Sequence, residues 1–182
     1  MNHSISRRRF VYYISLLAVI IQLPISACKR ILHLGNYNLS DEELLTLNRI
    51  LNLLLPENEN SPGANSISAL THIKSVLTDN TIKSSQKQTI KNGIRWADDV
   101  SKRLFDKECR ELQNMNIEEV LREMETFKKG KKFLTLILTY TFEAMLGDPI
   151  YQINDDQKGW KWLHHIPGNP RPSLMNKYKP NE

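Results

Sequence analysis

The chain has 182 residues, 40% of them hydrophobic and 25% charged, a composition that supports one globular domain and excludes a low-complexity or disordered chain. The formal charge of +5 does not mark a nucleic-acid binder. Arg7, Arg8 and Arg9 lie within residues 1–27, which contain no Lys, Asp or Glu; without them, 22 basic residues face 20 acidic ones, and no dense basic run is interleaved with aromatics.

The first 28 residues divide into a basic stretch at Arg7–Arg9, a twelve-residue apolar run at 10–21, and small residues at Ser26 and Ala27 before Cys28. A bilayer span needs about 20 apolar residues, so the run suits a signal-peptide core; an uncleaved N-terminal anchor is the alternative. Ser6-Arg7-Arg8-Arg9-Phe10 resembles the twin-arginine export signal, Ser-Arg-Arg-x-Phe, a route that carries proteins across already folded, with Arg7, Arg8 and Phe10 as its determinants. Ile25-Ser26-Ala27-Cys28 resembles a bacterial lipobox, which makes Cys28 the expected lipidation site. The expected organisation is a signal peptide over 1–27, a tether over 28–39 and a helical domain over 40–182. Its expected place is the periplasmic side of the bacterial envelope, as a membrane-anchored lipoprotein. Cys109 is then the other cysteine of the chain, either buried or paired with another chain.

Ser40-Asp41-Glu42-Glu43 is a capping box that opens a helix, and Leu44, Leu47, Leu51 and Leu54 give it an apolar face that ends at Pro56. The stretch 58–66 reads as a loop. Ile67, Leu70, Ile73 and Leu77 form the stripe of a second helix. A third runs from 85 to 104, with Ile90, Ile94, Ala97, Val100 and Leu104 inward. Gly93 inside it predicts close packing, because glycine otherwise costs roughly 1 kcal/mol against alanine. Asn116-Ile117-Glu118-Glu119 reads as a second capping box before Val120, Leu121 and Met124. The lysines at 128–132 read as a solvated turn, and 133–146 as a buried helix. From Asp148 onward Pro, Gly and Asn are frequent and periodicity vanishes. The predicted fold is all-α: about five helices in a compact domain with an irregular C-terminal arm.

Signatures of catalysis are missing. The sequence has no P-loop, GxGxxG, CxxC pair or HExxH. His164 and His165 are adjacent, so on a helix or strand they point apart. Read from Asn154 as a calcium loop, the stretch puts Lys158 at the fifth place and His165 at the twelfth, where ligands are required. A two-carboxylate hydrolase site using Asp148 and Asp155 is conceivable, but such carboxylates in a polar loop are commonly solvated or capping. Tyr151, Trp160 and Trp162 remain, either as an interface or folded back over their own helices.

Three places carry a family likeness: the twin-arginine start, residues 53–77 with Pro62-Gly63-Ala64, and residues 141–168. In the last, Thr141, Glu143, Asp148, Pro149, Tyr151, Asn154, Gly159, Trp160, Pro167 and Gly168 occur in order. The chain resembles the gluconate 2-dehydrogenase subunit 3 family, the small gamma subunits of membrane-bound flavin sugar and sugar-acid dehydrogenases. Two departures stand out. Ala144 replaces a glycine, and Gln152-Ile153 replaces a Gly-Gly pair, removing two residues permissive of positive φ and predicting a different turn. The resemblance implies a non-catalytic subunit with no cofactor of its own. It would bind a large FAD-containing catalytic subunit and escort it through the twin-arginine route, with a cytochrome c subunit as a further partner. Asp148, Pro149, Tyr151, Asn154, Gly159 and Trp160 are the expected partner interface. A stand-alone envelope lipoprotein with a structural or interaction role is the competing expectation.

Overall fold

A computed structural model describes residues 38–176; Arg7, Arg8, Phe10 and Cys28 lie outside them. The described residues form six α-helices, linked by turns and three 3₁₀ turns, with no strand among them. The helices are α1 (Asp41–Leu54), α2 (Ala69–Thr78), α3 (Ser84–Phe105), α4 (Asn114–Glu125), α5 (Lys128–Leu146) and α6 (Lys158–Trp162).

Helix α1 starts as its sequence dictates. The Ser40 Oγ accepts from the Glu43 amide at 3.2 Å, and the Glu43 carboxylate accepts from the Ser40 amide at 2.9 Å. Asp41, Glu42 and Glu43 place negative charge at the positive end of the helix dipole. Leu47, Ile50 and Leu51 are fully buried. Each such side chain contributes roughly 1.5–3 kcal/mol relative to exposure.

The core is one cluster drawn from α1 to α5, and α5 runs through its centre with Phe133, Ile137, Ala144 and Met145 fully buried. Gly93 is the reason α3 can lie so close to it. A Cβ there would sit 2.0 Å from Cδ2 of Phe133, so the ring occupies the space a side chain would need. Cys109 is buried and free. Burial, reinforced by the nearby Asp98 carboxylate, pushes its thiol up to about 12.

Two local expectations are corrected. The lysines at 128–132 are not a turn but the first turns of α5. Lysine is a good helix former, and Gly130 faces inward, where a Cβ would meet the Met124 carbonyl oxygen at 2.1 Å. Nor does Asn116 cap α4. That helix begins two residues earlier, behind Gln113, whose carbonyl oxygen accepts from the amides of both Asn116 and Ile117.

The C-terminal arm is irregular in outline but tightly specified. Two 3₁₀ turns, at Pro149–Tyr151 and Asp155–Gln157, lead into the five-residue α6. Gln152, Asn154, Asp156 and Gln157 all take positive φ, between 52° and 62°. Gln152, which stands where the resemblance expects a glycine, takes the left-handed conformation at φ 62°. That conformation is costly for a residue with a Cβ.

Candidate functional site: a clasped C-terminal segment

The segment after α5 is built around Asn154. Its side chain is fully buried. Nδ2 donates to the Gly147 carbonyl at 3.1 Å, and Oδ1 accepts from the Gly159 amide at 2.7 Å. Its backbone amide donates to the Ile67 carbonyl at 3.0 Å. Asparagine fits because it carries a donor and an acceptor on one short side chain and tolerates positive φ. Gly159 packs over Met145, whose carbonyl oxygen would lie 2.3 Å from an added Cβ.

Trp160 completes this inner layer. It is 4% exposed, and its indole Nε1 donates to the Leu146 carbonyl at 2.6 Å, satisfying a C-terminal carbonyl of α5 that has no partner within the helix. The guanidinium of Arg171 stacks 5.0 Å from the indole centroid. The same group grips Asp148, with Nε donating to Oδ2 at 3.0 Å and Nη2 to Oδ1 at 3.1 Å. Asp148 also accepts from the Ile150 amide at 3.1 Å, capping the turn that Pro149 begins. The Arg171 hydrogen bond holds the Asp148 carboxyl below the usual carboxylate range, helped by the Ile150 amide and opposed by desolvation.

The loop before α2 meets this segment directly. Ser68 takes φ 58° and does not cap its helix; its hydroxyl donates to Asp155 Oδ2 at 3.1 Å. One helix turn on, His72 Nε2 lies 3.2 Å from Glu143 Oε2, with its ring edge-on to Tyr140. So the loop following Pro62-Gly63-Ala64 and the series beginning at Thr141, far apart in sequence, are neighbours in the fold.

The six residues expected at an interface therefore separate. Asn154, Gly159 and Trp160 are buried against their own chain, and their polar groups are satisfied inside it. Asp148 and Pro149 are half-buried, with Asp148 engaged by Arg171. Tyr151 stays exposed. Around them lies an apolar surface: Phe142 and Leu146 on the outer side of α5, and Trp162 and Leu163 at the end of α6, are between 39% and 52% exposed. Of the two readings of the aromatics, Trp160 folds back, while Tyr151 and Trp162 face solvent.

Sequence reasoning missed Arg171, Ser68, His72 and the exposed Phe142. Arg171 sits in an Asn-Pro-Arg-Pro stretch without periodicity, so nothing in the local pattern ties it to Asp148. Phe142 was detectable: it falls off the buried stripe of α5, four residues before Leu146.

Of the carboxylates in this segment, Asp148 is held by Arg171 and Glu143 by His72. Among the described residues no group of three or more His, Cys, Asp or Glu could hold a metal ion. An open cleft of about 370 Å³ is lined by Phe105, Lys107, Glu111, Leu112, Gln113 and Asn116, none of them in the clasped segment. No described helix is long and apolar enough to cross a membrane. Geometrically, the arrangement is a hydrogen-bonded platform that presents aromatic and aliphatic side chains.

The family described as gluconate 2-dehydrogenase subunit 3 matches residues 41–168, from the first residue of α1 through the clasped segment. The chain belongs to this family. As a member of the gluconate 2-dehydrogenase subunit 3 family, it is of the kind that forms small subunits of dehydrogenases. No curated protein and no solved structure matches it.

Proposed function

We propose that this chain is the non-catalytic small subunit of a membrane-associated, FAD-dependent sugar- or gluconate-type dehydrogenase. In this reading it binds the large catalytic subunit in the cytoplasm and carries it, folded and loaded with FAD, through the twin-arginine route. The observation that carries the reading is the family match over residues 41–168, which spans all six helices. The chemistry agrees. Export in the folded state suits a partner whose flavin must be inserted before translocation, and the Ser6–Phe10 sequence supplies the address. FAD belongs to the partner, and a cytochrome c subunit would take the electrons onward. Lipidation at Cys28 would hold the complex on the periplasmic side of the membrane.

The exposed apolar rim of Phe142, Leu146, Tyr151, Trp162 and Leu163 is the surface assigned to the large subunit. Asn154, Gly159 and Trp160 act behind it as supports.

Deletion of the gene tests the escort role: the flavoprotein should remain in the cytoplasm, and normal periplasmic dehydrogenase activity in the deletion strain would refute it. Phe142→Ser with Trp162→Ser tests the surface. It should abolish co-purification of the flavoprotein while leaving the thermal midpoint close to that of the parent chain.

A further inference from the structure

The outer side of α5 changes character from end to end. Lys128, Lys129, Lys131 and Lys132 are all exposed and fall on one arc of about 160°, opposite the buried face. Thr135 and Thr139 follow on that arc, and then Phe142 and Leu146. The helix has 19 residues and is about 28 Å long, so the lysine end and the aromatic end are well separated.

The lysine end is electrostatically unbalanced. Four cations sit at the positive end of a helix dipole, and the first turn contains no acidic residue. Among the described residues none of the four forms an ion pair; Lys129 only rests 5.9 Å from the Trp96 ring. Glu123 is held by Arg103, while Glu125 and Asp99, the latter one turn beyond Trp96 on α3, are exposed and form no ion pair with these lysines among the described residues. Four cations on one arc repel one another, and an external anionic surface would offset that repulsion.

We infer that the lysine end of α5 docks on anionic phospholipid headgroups, leaving the aromatic end for the protein partner. The inference rests on the envelope placement proposed above. A lipid surface fits better than a protein for three reasons. The lysines are flexible, hydrated point charges on a convex helix, without the planar arginine forks that recognise one fixed carboxylate. The aromatic nearest them, Trp96, is half-buried beneath Lys129 and offers no apolar anchor. The apolar residues that mark a protein interface lie at the other end of the same helix. The chain enters the described body at Asn38, whose carbonyl accepts from Lys91 of α3 at 3.0 Å. Ten residue steps from Cys28 to Asn38 span at most roughly 35 Å, so a lipid at Cys28 keeps the body within reach of the headgroups.

The test is residue-resolved lysine acetylation of the full chain, recovered from membranes and reconstituted without a flavoprotein. Phosphatidylcholine vesicles are compared with phosphatidylglycerol-rich vesicles. Each basic residue near an anionic surface shifts the bound-to-free ratio about fivefold. Lys128, Lys131 and Lys132 should therefore be acetylated at least about fivefold more slowly in the anionic vesicles. The difference should vanish near 1 M salt, where the screening length falls to about 3 Å. Lys158 and Lys161 should react alike in both. Lys131→Gln with Lys132→Gln should release the protection of Lys128. Three results would overturn the inference: equal acetylation in the two vesicle types, slowing confined to Lys158 and Lys161, or protection that appears only when the flavoprotein is added. Because the assay contains no flavoprotein, its failure leaves the subunit reading intact. Loss of the flavoprotein interaction likewise leaves this result standing.

Discussion

Trp160 donates its indole N–H to the carbonyl oxygen of Leu146, fourteen residues earlier, at 2.6 Å. This bond ties α6 to the end of α5 and fixes the edge from which Phe142, Leu146 and Trp162 project. Trp160→Ala should lower unfolding free energy by roughly 3–5 kcal/mol, through lost burial and an unpaired carbonyl. Trp160→Phe keeps most of the ring and should lose only about 1–2 kcal/mol. Urea unfolding checks both; equal losses in the two variants would mean that the indole hydrogen bond alone matters, and no loss in Trp160→Phe that the ring alone matters.

Asn154 joins a buried side chain, two side-chain hydrogen bonds and φ 52°. Asn154→Ala loses both bonds and must hold an unfavourable backbone angle, so a loss of about 2–4 kcal/mol is expected. Asn154→Gly loses the same bonds but not the conformation, and should be milder by about 1 kcal/mol. The reverse order in chemical denaturation would show that the left-handed conformation carries no cost here.

Gly93→Ala tests the contact between α3 and α5. In an open helix the change would gain about 1 kcal/mol. Here the new methyl group would collide with Phe133, and a net loss of about 1–3 kcal/mol is expected. Phe133→Leu should relieve part of it, giving a favourable coupling of at least about 0.5 kcal/mol in a double-mutant cycle. Simple additivity would show that the two residues do not compete for the same space.

The clasp between Asp148 and Arg171 makes stability depend on pH. The folded carboxyl ionises below its unfolded value, so its stabilising effect is present above the unfolded pKa of about 3.9. It is lost as pH falls through the lower folded pKa. Asp148→Asn should therefore be less stable than the parent chain near pH 6, and the difference should disappear once both states are protonated. Unfolding free energies measured across this range decide it; a difference that does not change with pH would exclude the clasp as its source.

Much of the helical body was legible because local and global preferences agree there. The Ser40 box, the leucine stripe of α1 and the inward residues of α3 stand where their spacing puts them, and Gly93 marks a close approach. Reading failed where distant contacts decide the local backbone. The lysines at 128–132 suggested a turn around Gly130, yet the glycine is there for packing against Met124. Ser68, which the sequence reading passes over, precedes α2 without capping it and gives its hydroxyl to Asp155. The stretch after Asp148 looked structureless because its order comes from Asn154 and Trp160 reaching back to backbone carbonyls and from Arg171 reaching back to the Asp148 carboxylate, and no periodicity records such bonds. The motif residues share one expected role in the sequence, but the fold gives them different surroundings. Several of them build the platform, and the residues beside them form its outer surface.

The most direct test of the account is to isolate the full chain, tagged at its C-terminus, from detergent-solubilised membranes of its own host and measure the flavin that accompanies it. The account predicts a stable complex containing a large flavoprotein, with flavin in stoichiometric proportion and lost on Phe142→Ser with Trp162→Ser. Recovery of the chain free of flavin and of any large partner, under conditions that preserve its fold, would contradict it.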